Sequence, residues 1–164
     1  MNTQSIRNLL DGLIFKVCSL ILILMVMDVT WQVFSRYVLS DPSSFTDECA
    51  RFLMIWLGLL GGALLFGRGG HLAVTYFSDK CSDQIKKYLS LFIHILITLF
   101  AIFTMLYGGF NLILRTILQP SPSMHIPMGY VYSILPISGV IVIIYTVLNI
   151  IDLLKTDKTA GQNK

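Results

Sequence analysis

The chain has 164 residues, of which 55% are hydrophobic and only 13% charged, with a formal net charge of +3 and a mean hydropathy of +0.74. That balance excludes a soluble domain and points to an integral membrane protein, with membrane lipids and not nucleic acid as its surroundings.

The charges are clustered, and four gaps between the clusters are long enough for a spanning helix of about 20 apolar residues. The predicted spans are 13–38, 44–67, 86–115 and 127–152 in a single domain covering residues 1–164. Because an unpaired backbone polar group is costly in lipid, each span is expected to be a helix, and short links imply a compact four-helix bundle. The apolar runs are too continuous for the alternating strands of a barrel.

Span one is interrupted by Asp28, followed at four-residue intervals by Gln32 and Arg36. A carboxylate at mid-membrane is disfavoured by roughly 2.5–3.5 kcal/mol, so Asp28 is expected to face protein. A proton or sodium site and an interhelical hydrogen bond are both open readings. Asp28 and Arg36 lie about 12 Å apart along a helix, so their coupling would need Gln32 or water between them. Met27-Asp28-Val29-Thr30 offers no small-residue cleavage site, so span one is expected to remain uncleaved.

Span two opens on Ser44-Phe45-Thr46-Asp47, which fits a loose capping box, with Asp47 and Glu48 in the first turn where the helix dipole favours negative charge. Arg51 is four residues from Asp47 and three from Glu48, so the three can meet on one face as a small ion network, with a well-capped helix start as the simpler reading. Further along, Trp56 reads as a large packing residue. Gly58 and Gly62 form a GxxxG spacing that lets two helix backbones approach closely in lipid. The span ends on Gly67-Arg68-Gly69-Gly70, which is not a phosphate loop, since no strand precedes it and no GK[ST] follows. His71 then starts an apolar stretch over 71–77 whose pattern fits either a short amphipathic helix on the membrane surface or an ordinary connector. His71 itself reads as a capping or interfacial residue.

Span three carries His94 within it and Asn111 with Arg115 at its far end. A bis-histidine haem is not expected, because the remaining histidines, His71 and His125, fall in opposite loops. The connection 118–130 holds three prolines and is expected to be rigid and non-helical. Pro127 is placed to start span four, and Pro136 to kink it. Cys18, Cys49 and Cys81 show no CxxC spacing and read as small packing residues.

Nine lysines and arginines, Lys16, Lys86 and Lys87 in the first residues of their spans among them, lie at or beyond the span ends on the side of the two termini and the 68–85 connection, against Arg36, Arg51 and Arg115 at the other ends. By the positive-inside bias both termini are expected to be cytoplasmic.

Arg36-Tyr37, Phe45-Thr46-Asp47-Glu48-Cys49-Ala50-Arg51, Trp56-Leu57-Gly58, Arg68-Gly69-Gly70-His71-Leu72-Ala73-Val74, Ile126-Pro127 and Leu135-Pro136 occur in that order over nearly the whole chain. Together they resemble the small membrane subunit of tripartite ATP-independent periplasmic (TRAP) transporters, the DctQ-like family. The family often has tryptophan, glutamate and an acid where Phe45, Asp47 and Thr75 stand. The resemblance implies a non-catalytic, multi-pass subunit of the bacterial inner membrane, without a cofactor or substrate site of its own. It implies a large elevator-type membrane subunit that carries solute and sodium sites, and a periplasmic solute-binding protein that delivers an organic acid. Such acids include sialic acid, other sugar acids and C4-dicarboxylates. Arg36, Asp47, Glu48, Arg51, Trp56, Gly58, Gly62, Arg68, His71 and Asp28 are then candidates for packing or partner contact. The alternative is a self-sufficient small transporter or channel working as a dimer through Asp28. The solute and the stoichiometry are not encoded in these motifs.

Overall fold

The computed structural model describes residues 3–41, 43–67 and 83–161, and within them the chain is helical apart from the turns. The helices are α1 (Thr3–Tyr37), α2 (Ser44–Gly67), α3 (Asp83–Phe100), a π-helical segment (Ala101–Gly108), α4 (Gly109–Thr116), α5 (Met128–Tyr132) and α6 (Ile134–Gly161). Among the described residues, four stretches are long and apolar enough to cross a membrane: Gln4–Tyr37, Ser44–Gly67, Tyr88–Thr116 and Met128–Leu153. At about 1.5 Å per residue the 35-residue α1 is about 52 Å long, well beyond the ~30 Å hydrocarbon thickness, so it tilts or projects from the bilayer.

The side chains explain how these helices associate. On α1 the inward positions recur every seven residues: Ile14, Ile21 and Ser35 are buried and Asp28 partly so, with Cys18, one turn after Ile14, also partly buried. Ile14 and Ile21 pack with Leu60 and Leu64 of α2, flanked by Leu53, Trp56 and Leu57. On α2 Thr46, Leu53, Leu60 and Gly67 likewise recur every seven residues, so the two antiparallel helices meet along a coiled-coil-like seam, the most extensive helix pairing among the described residues. α2 also packs on α6, and α6 on α3 and the π segment, so α6 joins the α1–α2 hairpin to the third span. The remaining faces of α1 are apolar and exposed, with Leu13, Leu20, Leu24, Met27 and Trp31 among them, as a lipid or protein environment requires and water does not.

The third span departs from a regular helix. Its π segment directs Ala101 and Met105 at α6, where Val142 and Gly139 receive them, and Gly109 follows against Leu135 and Pro136. A Cβ on Gly139 would stand 2.8 Å from Met105 Cβ, so the two backbones meet here as closely as glycine allows. Span four also differs from a single kinked helix. It is two pieces, α5 and α6, with Ser133 between them, and Pro136 lies in the first turn of α6, where its missing N–H interrupts no ladder. Arg68, His71 and the amphipathic stretch 71–77 lie outside the described residues.

Candidate functional site

At the end where α1 passes into α2, the acidic pair separates. Asp47 is exposed, accepts the amide of Gln32 at 3.2 Å and pairs with Arg51 at 2.9 Å. Glu48 does not join them in a three-way contact, contrary to the spacing argument. Successive residues on a helix are about 100° apart, so the neighbour of an outward-facing Asp47 is carried toward the protein. Glu48 is 3% exposed and accepts the backbone amides of Ser123 and Met124 at 2.9 and 2.8 Å. The side chain of Ser121 is a further hydrogen-bond partner, and the Arg51 charge still acts on Glu48. The capping box is not formed either: Thr46 Oγ1 donates to Ser43 O, and Ser44 Oγ accepts from Ser123 Oγ at 2.8 Å.

The 119–127 connection that Glu48 receives is tightly folded. Ser121 N–H donates to Ile126 O, Met128 N–H to Gln119 O, and Ile126 N–H to Ser121 Oγ. His125 sits at φ 55, the left-handed region that non-glycine residues rarely occupy. Behind it, Trp56 donates its indole N–H to Val131 O at 3.0 Å, so this tryptophan ties α2 to α5 within the chain.

Asp28 lies on the α1 seam beside Cys49, whose thiol is its hydrogen-bonding neighbour, while its Oδ2 is buried without a partner. Gln32 does not couple it to Arg36, because the Gln32 amide is held by Asp47. Arg36 is exposed at the end of α1. Asn111 does not reach Arg115 but donates to Tyr107 O of its own helix turn. His94, though buried, hydrogen-bonds to Ser90 O.

Gly58 and Gly62 do not mediate a close approach within the chain: a Cβ on either meets nothing within 4 Å. With Ala63, Leu96, Phe100 and Val142 they line an open apolar groove of about 410 Å³ between α2 and α3, with α6 as its floor. The glycine that is closed in is Gly67, where a Cβ would overlap the ring of Tyr145.

Gly67 belongs to a polar cluster at the opposite end of the helices that motif reasoning passed over. Arg7 donates to Gly67 O at 3.2 Å, to Asn149 Oδ1 at 2.7 Å and to Asp152 Oδ2 at 3.0 Å. Asn149 donates to Phe66 O at 3.4 Å, and Tyr145 donates to Asp11 at 2.5 Å. The last carbonyls of α2, which have no intrahelical donor, are thus capped from α1 and α6, and the positive guanidinium meets the negative end of the helix dipole. The signal was present in the spacing. Arg7 continues the stripe of Ile14 and Ile21, and Tyr145, Asn149 and Asp152 share one face of α6 at i, i+4 and i+7.

These contacts bind helices to one another. The family profile described as the DctQ component of tripartite ATP-independent periplasmic transporters matches residues 25–156. The chain is 30% identical over 129 residues to the sialic acid TRAP transporter small permease protein SiaQ of Vibrio cholerae, covering 77% of this chain and 73% of that protein. It is 27% identical over 139 residues to a protein of Haemophilus influenzae described as a TRAP transporter small permease, covering 85% and 86%. A stretch of 66 residues is 24% identical to the sialic acid TRAP transporter permease protein SiaT of Haemophilus influenzae, covering 40% of this chain and 11% of that protein. The chain belongs to the DctQ family of TRAP transporter components, and is therefore a multi-pass inner-membrane transporter subunit and not an enzyme.

Proposed function

We propose that the chain is the small permease subunit of a sodium-driven TRAP transporter, in which it braces a large elevator-type subunit during uptake of an organic acid. The observation that carries this reading is the contrast between its polar and apolar groups. Arg7, Glu48 and Trp56 are engaged in joining the chain's own helices. By contrast, broad apolar surface on α1 and the glycine-lined groove between α2 and α3 stay open. Such a chain suits helix packing in lipid better than recognition of an anionic solute. The large subunit supplies the solute and sodium sites, and this subunit needs no cofactor. The names of the relatives favour sialic acid, with other sugar acids and C4-dicarboxylates as further candidates.

Reconstitution tests the proposal. Proteoliposomes containing this chain, a large permease encoded beside it and the cognate solute-binding protein should take up labelled sialic acid or a related acid only under an inward sodium gradient. Uptake by the purified chain alone would instead favour a self-sufficient dimer.

Both termini are placed in the cytoplasm, with the Glu48 end facing the periplasm, because nine of the 12 lysines and arginines fall on the terminal side. In a cysteine-free background, an impermeant thiol reagent added outside intact spheroplasts should label a cysteine at position 43 and spare one at 82. The reverse pattern would invert the subunit. In this orientation the 119–127 connection faces the solute-binding protein, and it is proposed to contribute to docking it.

A further inference from the structure

We infer that Glu48 is a positioning residue that holds the 119–127 connection in the shape that meets the solute-binding protein. This inference rests on the docking role proposed above.

Glu48 is a carboxylate with almost no exposure, and a buried charge is tolerated only when its hydrogen bonds are made. Two backbone amides, from consecutive residues Ser123 and Met124, converge on one oxygen, Oε2, with the Ser121 side chain as a third partner. Convergent backbone donors of this kind form an anion-binding nest, and here the chain supplies the anion itself. An apolar contact would attach a loop to a helix with less desolvation cost. A buried carboxylate adds directional specification of the backbone.

The loop conformation needs such specification. His125 is held at φ 55°, and Ser121 is bonded to Ile126 twice, its N–H donating to Ile126 O and its Oγ accepting from Ile126 N–H. Pro122 and His125 are exposed beside the nest, while Ser123 Oγ is anchored to Ser44. The motif's two acids therefore have separate tasks. Asp47 faces outward to Arg51 and Gln32, and Glu48 faces inward to fix the loop. Freed from Glu48, the loop samples other conformations, and docking then requires it to be ordered again, which weakens the encounter without touching the transport step.

The test uses the intact complex in proteoliposomes and measures uptake against solute-binding-protein concentration for the wild type, Glu48→Gln and Glu48→Ala. In Glu48→Ala, which removes all three bonds to the loop, the half-saturating concentration should rise about tenfold because the freed loop must be re-ordered on docking, with the maximal rate within about twofold of wild type. Glu48→Gln keeps one acceptor oxygen and should fall between. Deuterium exchange at the Ser123 and Met124 amides should accelerate in the same order. An unchanged half-saturation despite faster exchange would overturn the inference. So would a fall in maximal rate alone, unchanged exchange in both variants, or failure of both variants to assemble, which would make Glu48 a folding residue only. A photocrosslinker at position 122 separates this from the underlying reading. No wild-type cross-link to the solute-binding protein removes the docking role itself, whereas a cross-link equally strong in wild type and Glu48→Ala removes only the part assigned to Glu48.

Discussion

Gly67→Leu should destabilise the detergent-solubilised subunit by about 2–4 kcal/mol, while Gly58→Leu, nine residues earlier on the same helix, should leave it within about 0.5 kcal/mol of wild type. At Gly67 any side chain enters space already filled by Tyr145, which is completely buried and held in place by its hydrogen bond to Asp11. The ring has no free volume to move into, so overpacking strain adds to a lost hydrogen bond. At Gly58 a side chain projects into the open groove and meets no atom of the chain. Thermal unfolding of the two purified variants measures the difference. Co-purification with the large subunit extends it: if that subunit covers the groove, Gly58→Leu yields a stable small subunit and a depleted complex. Wild-type complex yield from Gly58→Leu would move the joint elsewhere.

Arg7→Ala should cost about 2–3 kcal/mol, and Asp152→Asn less than about 1 kcal/mol, although the two residues form one ion pair. The asymmetry follows from exposure. The Asp152 side chain is 43% exposed, so water and salt screen its attraction, whereas the Arg7 side chain is 19% exposed. Losing Arg7 also leaves Gly67 O and Asn149 Oδ1 without their donor at a helix end that water reaches poorly. Arg7→Lys should recover only part of the loss, because a lysine presents one donor centre where the guanidinium fork reaches three acceptors on two helices. Equal effects of Arg7→Ala and Asp152→Asn in thermal or urea unfolding would show that the ion pair, and not the carbonyl cap, supplies the stabilisation.

Several features were legible because they depend on local composition. The four spans follow from apolar runs measured against bilayer thickness. The polar, proline-rich 118–130 stretch was readable as a non-helical connection, since proline removes donors and restricts its predecessor. The combination of Arg36, Asp47, Glu48, Arg51, Trp56 and Gly58 with the later His and Pro motifs carried the family. The seven-residue stripe through Arg7, Ile14, Ile21, Asp28 and Ser35 was also present, and it identifies the α1 seam once the whole helix is considered.

Other features depended on which residues meet across distance. Asp47 and Glu48 are adjacent acids on one helix turn, and no spacing rule separates the one that faces Arg51 from the one that holds Ser123 and Met124, some 75 residues away. Gly58, Gly62 and Gly67 are alike as letters. Only the packing of α6 makes Gly67 indispensable and leaves the other two facing an open groove. The Arg7 cluster joins residues up to 145 positions apart, and the π segment lies where the third span brings Met105 against Gly139 and Gly109 against Pro136. The sequence by itself determined a four-span membrane protein and its family, because hydrophobic length and a dense motif are local properties of the chain. The tertiary structure decided which acid is an anchor and which glycine is a contact, because a side chain's role is set by the atoms that the fold brings to it.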